Sequence, residues 1–322
     1  MLYLLLELLR GIKVYKERQL VKIIKEICVE NNYKLQTYSD EWVLEIIDNR
    51  GANCLIMGYK FPNNNASISK ICDDKCALSS VLVGKGIPCV EHVYLEKPSS
   101  PMYDGVDVYD VLQDLINKYK SVVCKINSGS GGHYVYCANN YAELKQYADR
   151  IFTKSRAIAV SPKIDIKNEY RVIVENGEVK LMYNKMRPTI VGDGVHTISE
   201  LCANMKISDN NKIAQLDYLR VPKINEIVTV SWKHNLAQGS KPDIDLPIEI
   251  KTKLKDIALH TATALDINFA SIDIVVDENN NYMVLEINSG VMMEKFSRES
   301  CENYNIAKSI YLDAIKHYFD KL

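Results

Sequence analysis

Asn268-Phe-Ala-Ser-Ile-Asp-Ile-Val-Val-Asp-Glu-Asn-Asn-Asn-Tyr-Met-Val-Leu-Glu-Ile-Asn-Ser-Gly290 reads as two strands joined by a polar turn. The turn, Asp277-Glu-Asn-Asn-Asn281, is built of residues that tolerate a left-handed backbone. Strand alternation puts Ser271, Asp273 and Val275 on one face of the first strand. On the second strand it groups Val284, Glu286 and Asn288, with Met283, Leu285 and Ile287 opposite. With the polar faces superposed, one hairpin presents Asp273, Glu286 and Asn288, two carboxylates and an amide. That hard oxygen set suits Mg2+ held partly by protein and partly by phosphate oxygens. A wet surface hairpin shows the same alternation. Against that reading, Glu286 interrupts the apolar run from Met283 to Ile287, and a carboxylate among buried side chains needs a cation nearby.

The chain has 322 residues, enough for two or three subdomains with substantial cores. A net charge of −1 provides no general pull toward nucleic acid or a membrane surface, and neither is expected as a partner. Nine scattered cysteines, an odd number without a framework, predict reduced thiols and a cytoplasmic location. Cys72 and Cys76 have no second pair of ligands to complete a zinc site. Met1 to Leu9 is apolar but short and is interrupted by Glu7, so it reads as an amphipathic or buried helix rather than a signal peptide or membrane span.

Helical spacing covers about residues 15–32, through Leu20, Ile23, Ile24 and Ile27. Strands are predicted at Lys34–Tyr38, Val43–Ile47 and Cys54–Tyr59, which makes a small N-terminal α/β unit. Helices follow at Asp74–Val83 and around Val108–Lys120. Residues 121–137 form a strand, a glycine-rich loop and a second strand; a helix at Tyr141–Arg150 and a strand at Ala157–Lys163 come next. Glu169–Val174 and Glu178–Met182 pair across Asn176-Gly177, a strong hairpin signal. A long helix over about Pro247–Leu265 precedes the opening hairpin, and an amphipathic helix with Ile306, Ile310, Ile315 and Phe319 ends the chain. The fold class is α+β with antiparallel hairpins.

Chemistry concentrates in a few places. Ser128-Gly-Ser-Gly-Gly132 exposes backbone N–H groups with little side-chain bulk, which suits phosphates, and Lys125 on the strand before it is placed to neutralise their charge. The lysine precedes the glycines, so this is not a Walker motif, and a merely flexible hairpin tip reads the same way. Arg171, Lys185 and Arg187 are placed to converge on an anionic substrate or a phosphoryl group; a solvated hairpin face is the bland alternative. Val191-Gly-Asp-Gly194 follows them, then the polar stretch Lys233-His-Asn-Leu-Ala-Gln-Gly239. His133 and His234 lie near these clusters but have no catalytic partner, and they read as incidental.

The order of these clusters resembles the ATP-grasp superfamily of carboxylate–amine ligases, nearest the branch of cyanophycin synthetase and bifunctional glutathione synthetase. Met186-Arg-Pro-Thr-Ile-Val-Gly-Asp-Gly-Val-His-Thr-Ile-Ser-Glu-Leu201 is similar to that branch's RPxxVxGDGxxTIxxL pattern. Asn235-Leu-Ala-Gln-Gly239 is similar to its NLSTGG segment, and Leu285-Glu-Ile-Asn-Ser-Gly290 to its metal-binding strand. The resemblance covers roughly residues 70–320. It implies an ATP-grasp fold in which two lobes with antiparallel sheets clasp ATP, with an N-terminal unit over 1–68 and an ATP-grasp domain over 69–322 (small lobe about 90–162, large lobe about 163–322).

It also implies roles. Lys125 contacts the ATP phosphates, and Ser128, Gly129, Ser130, Gly131 and Gly132 belong to the mobile lid. Ser161, Lys163 and Ile164 form the adenine hinge, and Glu169 holds the ribose. Asp273, Glu286 and Asn288 bind Mg2+ or Mn2+. Arg187 stabilises the phosphoryl group, with Arg171 and Asn235 alongside it in catalysis. The hinge lacks the Glu or Gln of many relatives, and Ser289-Gly-Val-Met-Met-Glu294 replaces their Pro-Gly-Leu, which points to different substrates.

The implied activity is an ATP-dependent carbon–nitrogen ligase. It activates a small-molecule carboxylate as an acylphosphate, joins it to an amine and releases ADP and phosphate. An ATP-grasp kinase or phosphotransferase and a non-catalytic nucleotide-binding regulator remain alternatives, and homodimerisation rests on analogy alone. Asp273→Ala or Glu286→Ala is expected to abolish ATP turnover with the fold intact.

Overall fold

A computed structural model describes residues 17–101, 105–129, 131–203, 213, 216–234 and 241–322. The expectations for Met1–Leu9, Ser130 and Asn235 therefore lie outside the described residues. The elements run α1 (Gln19–Asn31), β1 (Lys34–Tyr38), β2 (Val43–Ile47), β3 (Asn53–Met57), α2 (Ala66–Asp73), α3 (Lys75–Gly84), β4 (Val93–Glu96) and α4 (Val108–Tyr119). Next come β5 (Val122–Ile126), β6 (Val135–Ala138), α5 (Tyr141–Phe152), β7 (Ala157–Pro162), β8 (Ile166–Glu175), β9 (Glu178–Lys185), β10 (Thr189–Val191) and α6 (Ile198–Leu201). The chain closes with β11 (Ile227–Thr229), β12 (Pro242–Asp243), α7 (Ile248–Leu265), β13 (Phe269–Asp277), β14 (Tyr282–Asn288), α8 (Phe296–Glu299) and α9 (Cys301–Asp320).

The chain divides into two units, one running through Tyr59 and resuming at Met292–Leu322, the other Lys60–Val291. The division falls before residue 68, and it groups the C-terminal helix with the N-terminal segment. The physical reason is local. Arg18 at the start of α1 contributes no side-chain cap. The Glu294 carboxylate does so instead, accepting from Gln19 N at 2.9 Å and Leu20 N at 3.1 Å. Glu26 on α1 then accepts from the Tyr304 hydroxyl at 2.8 Å and from Lys308 at 3.1 Å, both on α9. In this unit β1, β2 and β3 form an antiparallel meander, and Leu44, Ile46, Cys54 and Ile56 are buried together with Ile23, Ile24 and Ile27 of α1.

The larger unit holds a four-stranded sheet in the order β4-β7-β5-β6 and a five-stranded sheet in the order β12-β9-β8-β13-β14, both antiparallel between neighbours. Leu112 and Ile116 of α4 and Leu144, Ala148 and Ile151 of α5 cover one face of the first sheet. Leu254, Ala258, Ala262 and Leu265 of α7 cover one face of the second, against Val172, Val174, Ile272 and Ile274. The β8–β9 hairpin turns at Asn176 and Gly177, with φ of 48° and 77°, as the Asn-Gly pair predicts.

The opening hairpin departs from simple alternation. Asp273 pairs with Glu286, but Ile274 pairs with Val284, so Leu285 is an extra residue and the strand bulges there. Val284 consequently joins Ile287 in the apolar core, while Glu286 stays opposite Asp273. The expected grouping of Val284 with Glu286 is thus corrected: the bulge flips every residue before Leu285.

A two-stranded arm, β10 with β11, carries a small core of Ile190, Ile198 and Val228. Gly192 packs against it so closely that a Cβ would sit 2.2 Å from the Lys223 carbonyl oxygen. Asp193 accepts from the N–H groups of Val195 and His196 and so shapes the turn. The Gly-Asp-Gly motif is therefore a folding device. None of the described helices is long and apolar enough to cross a membrane.

Ile272 is fully buried on the central β13, between the strands and α7. Ile272→Ala is expected to cost about 2–5 kcal/mol, seen as a lowered urea midpoint. Val191→Ala on the exposed arm should leave that midpoint almost unmoved.

Candidate functional site

The five-stranded sheet has one face against α7 and one face that is polar. Register alone builds the polar face. Tyr183 on β9 lies opposite Arg171 on β8, Arg171 opposite Asp273 on β13, and Asp273 opposite Glu286 on β14. One rung away Glu169 lies opposite Val275, and on the other side Ser271 lies opposite Asn288. Four strands thus place Glu169, Arg171, Lys185, Asp273, Glu286 and Asn288 on one surface.

Asp273 is fully buried and clasped from two sides. Arg171 donates to it twice, Nε to Oδ1 at 2.8 Å and Nη2 to Oδ2 at 2.7 Å. Lys185 Nζ donates to Oδ2 at 2.9 Å and is also paired with Glu169 Oε1. Burial alone would raise the Asp273 pKa, but the charges of Arg171 and Lys185 outweigh it and hold the carboxyl well below the usual range. The Glu169 carboxyl is pushed up, chiefly by burial, with Lys185 opposing. Burial works against the cationic forms of Arg171 and Lys185, yet their carboxylate partners raise both above their ordinary values. The result is a quartet of two cations and two carboxylates in which Asp273, Glu169 and Lys185 are buried and Arg171 is partly exposed.

Glu286 stands beside this quartet. It accepts from Asn288 Nδ2 at 3.3 Å and is half-buried. Across from it come two lysines. Lys125 is buried on β5, on the side of that strand away from the α4–α5 core, and Ser161 shares this side through its pairing with Val123. Lys125 has no hydrogen-bond or ion-pair partner among the described residues. Burial first, and the neighbouring Lys75 second, push its pKa down to about 8, while Glu286 and Glu169 pull the other way. Lys75 is lowered by burial and opposed by Glu286.

Lys75 was missed by sequence reading, yet a signal for it existed. It is the first residue of α3, capped by Asp74. A cation there opposes the helix dipole. Its ammonium reaches instead to the Gly129 carbonyl at 2.6 Å and the Asn127 carbonyl at 3.3 Å, at the base of the glycine-rich loop. Gly131 and Gly132 in that loop have φ of 69° and 72°. On the far side, Lys233 Nζ donates to the Val135 carbonyl at 2.9 Å where the loop re-enters the sheet.

The remaining expected residues lie further out. Lys163 is exposed and 3.6 Å from Asp165, Ile164 is half-buried, and the Lys163 N–H donates to the Ser121 carbonyl at 3.0 Å. Arg187 does not join Arg171 and Lys185 on Asp273, as a simple convergence would have it. Its Nε donates to His234 Nε2 at 2.9 Å, and Nη2 donates to the Ile166 carbonyl. His234, read from sequence as incidental, is buried and bonded through both ring nitrogens.

The oxygen set expected to hold a metal is divided. Three hydrogen bonds occupy Asp273, leaving roughly one of about four acceptor positions. The oxygens open to a cation are those of Glu286 and Asn288 Oδ1. No group of three or more His, Cys, Asp or Glu side chains able to hold a metal occurs among the described residues. The donor set therefore fits a magnesium ion whose shell is completed by phosphate and water oxygens, not a closed protein cage.

The structure argues against the expectation that Asp273→Ala leaves the fold intact, because that change removes the carboxylate partner of Arg171 and one of the two partners of Lys185. Arg171→Leu, which leaves the buried Asp273 with Lys185 alone, is expected to destabilise by about 3–5 kcal/mol without any ligand. Glu286→Gln, whose carboxylate has no ion pair within 4.0 Å among the described residues, should leave the thermal midpoint nearly unchanged. Equal midpoints for the two variants would contradict the quartet.

Known proteins resemble this chain in sequence and in fold. Residues 225–314 match the family model described as a RimK-like ATP-grasp domain. The glutathione biosynthesis bifunctional protein GshAB of Listeria welshimeri is 22% identical over 199 residues, 53% of this chain and 25% of that protein. The Streptococcus agalactiae protein of the same name is 29% identical over 129 residues, 38% of this chain and 16% of that one. The chain thus spans about a quarter or less of the curated relatives it matches. Among solved structures, D-alanyl-alanine synthetase A from Vibrio cholerae covers 93% of each chain with a TM-score of 0.56 at 11% identity. D-alanine–D-alanine ligase from Bacillus anthracis covers 80% of this chain and 72% of that one, with a TM-score of 0.53 at 16% identity. Bifunctional glutathione synthetase from Pasteurella multocida covers 88% and 42%, with a TM-score of 0.52 at 14% identity. The chain has the ATP-grasp fold; its residues 225–314 are similar to a RimK-like ATP-grasp domain, and it is distantly related to the bifunctional glutathione biosynthesis proteins.

Proposed function

We propose that this protein is an ATP-dependent ligase joining a small-molecule carboxylate to an amine. One observation carries the reading. Lys75 and Lys125, both depressed in pKa, converge on Glu286 beside the neutralised Asp273 quartet. A buried and a half-buried lysine without carboxylate hydrogen bonds attract an anion, and a carboxylate–amide pair beside them suits the cation that accompanies a polyphosphate.

In this reading Lys75 and Lys125 grip the ATP phosphates, and the N–H groups around Gly131 and Gly132 close over them. The backbone of Ser161–Ile164 meets the adenine, and the second oxygen of Glu169 is an acceptor for a ribose hydroxyl. Glu286 and Asn288 would hold Mg2+ (or Mn2+), beside Asp273 on the neighbouring strand. The ion, when bound, neutralises phosphate charge as the γ-phosphoryl group leaves.

The chemistry needs no nucleophilic side chain. A substrate carboxylate oxygen attacks the γ-phosphorus, and the bond to the β–γ bridging oxygen breaks to release ADP. The amine attacks the acylphosphate carbon, loses a proton, and phosphate leaves with its bonding electron pair. Arg187 stabilises the phosphoryl group in flight, and Arg171 and Asn235 are the other two residues assigned to catalysis in this reading.

A matrix of small acids and amines with ATP and Mg2+ tests the activity through ADP release. A ligase requires both an acid and an amine. Release with the acid alone would make it a phosphotransferase, and binding without release would make it a regulator. Acidity offers a second test. The cationic form of Lys125 binds phosphate and its pKa is near 8. The dissociation constant for ATP is therefore expected to be flat below that pH and to rise up to about tenfold per pH unit above it. Lys125→Arg should flatten the alkaline limb. An affinity that stays constant up to pH 9.5 would remove Lys125 from the phosphate site.

A further inference from the structure

We propose that His234 is a positioning residue that holds the Arg187 guanidinium in its working orientation as a neutral imidazole protonated on Nδ1. The inference rests on the reading above, in which Arg187 meets the transferring phosphoryl group.

The tautomer follows from the partners. His234 Nδ1 lies 2.7 Å from the Lys185 carbonyl, which has no proton to give, so Nδ1 donates. His234 Nε2 lies 2.9 Å from Arg187 Nε, which always carries a proton, so Nε2 accepts. Only the neutral Nδ1–H form satisfies both contacts; an imidazolium would set N–H against N–H. His234 is 8% exposed, so a lost bond is poorly replaced by water. Burial, with Arg187 and Lys185 nearby, favours the same neutral form. No carboxylate among the described residues bonds to the ring.

The consequence for Arg187 is geometric. Nε is fixed by His234 and Nη2 by the Ile166 carbonyl. Two bonds from different nitrogens of one rigid plane define its orientation. The Nη1 protons have no partner among the described residues and are the ones available to an incoming anion. The same imidazole grips the backbone of Lys185, whose ammonium sits in the Asp273 quartet. His234 thus couples the guanidinium of Arg187 to the Asp273 quartet through the backbone of Lys185.

The experiment measures binding of ADP·Mg2+ with and without aluminium fluoride, a mimic of the phosphoryl group in transfer. Wild type should bind the fluoride complex more tightly than ADP·Mg2+ alone. Arg187→Ala should erase much of that preference. His234→Leu should lower it on the order of tenfold to a hundredfold while leaving ADP·Mg2+ affinity nearly unchanged. His234→Gln, whose amide donates and accepts, should recover all but a few-fold. In the Arg187→Ala background, His234→Leu should add nothing. If Arg187→Ala lowers the preference and His234→Leu does not, or if the two effects add in full, the positioning role is wrong. If wild type shows no preference, or Arg187→Ala leaves it intact, the phosphoryl role of Arg187 is what fails. Circular dichroism of the His234→Leu and His234→Gln proteins separates a folding defect from lost positioning, because only the latter is rescued by the amide at equal secondary structure.

Discussion

The Asp273 carboxylate is closed to water and bonded by two cations on two other strands, and the site takes its form from that constraint. A bare carboxylate there would cost several kcal/mol. Arg171 answers with a bidentate fork, Lys185 with a point charge shared with Glu169. Each partner is at its place only if β8, β9 and β13 hold one register. A one-residue slip of any of them would turn its charge into the apolar face against α7. The quartet and the hydrophobic core therefore specify the same alignment from opposite sides of one sheet.

A neutralised quartet is a poor anion trap by itself. The attraction comes from the lysines of the neighbouring elements. Lys125 on β5 is buried and Lys75 at the start of α3 is half-buried, and the charge of Lys75 makes that of Lys125 costlier. Glu286 relieves part of that cost without forming an ion pair with either among the described residues. Such an arrangement is electrostatically unfinished in a way that a polyphosphate with its cation would complete. Lys75 also bonds to carbonyls at the base of the glycine-rich loop, so a ligand drawing on its charge acts on the same residues that shape the loop.

Sequence reading recovered what repeats at short range. The two hairpins followed from alternation and turn chemistry, and the helices over 108–119 and 248–265 from their apolar spacing. Asp273, Glu286 and Asn288 were read from strand alternation, Glu286 also from its break in an apolar run, Arg171 from a cluster of basic residues, and Glu169 from the family resemblance. Other features escaped. The bulge at Leu285 leaves no mark in the alternation, because it is a property of the pairing between strands. His234 looked incidental because its partners, Arg187 and the Lys185 carbonyl, are 47 and 49 residues away. The grouping of the last helix with the first depends on Glu294 capping α1 from 275 residues away.

The residues by themselves determined the main hairpins, the longer helices and the order of the motifs, since each of these rests on spacing along one backbone. The tertiary structure decided which charges meet. It assigned Asp273 to Arg171 and Lys185, left Glu286 and Asn288 open, paired Lys75 with Lys125, and turned Arg187 toward His234. The reason is that a charge's partner inside a protein is chosen by the cost of burying it alone. That cost is set by neighbours the chain brings together only when its sheets and helices have packed.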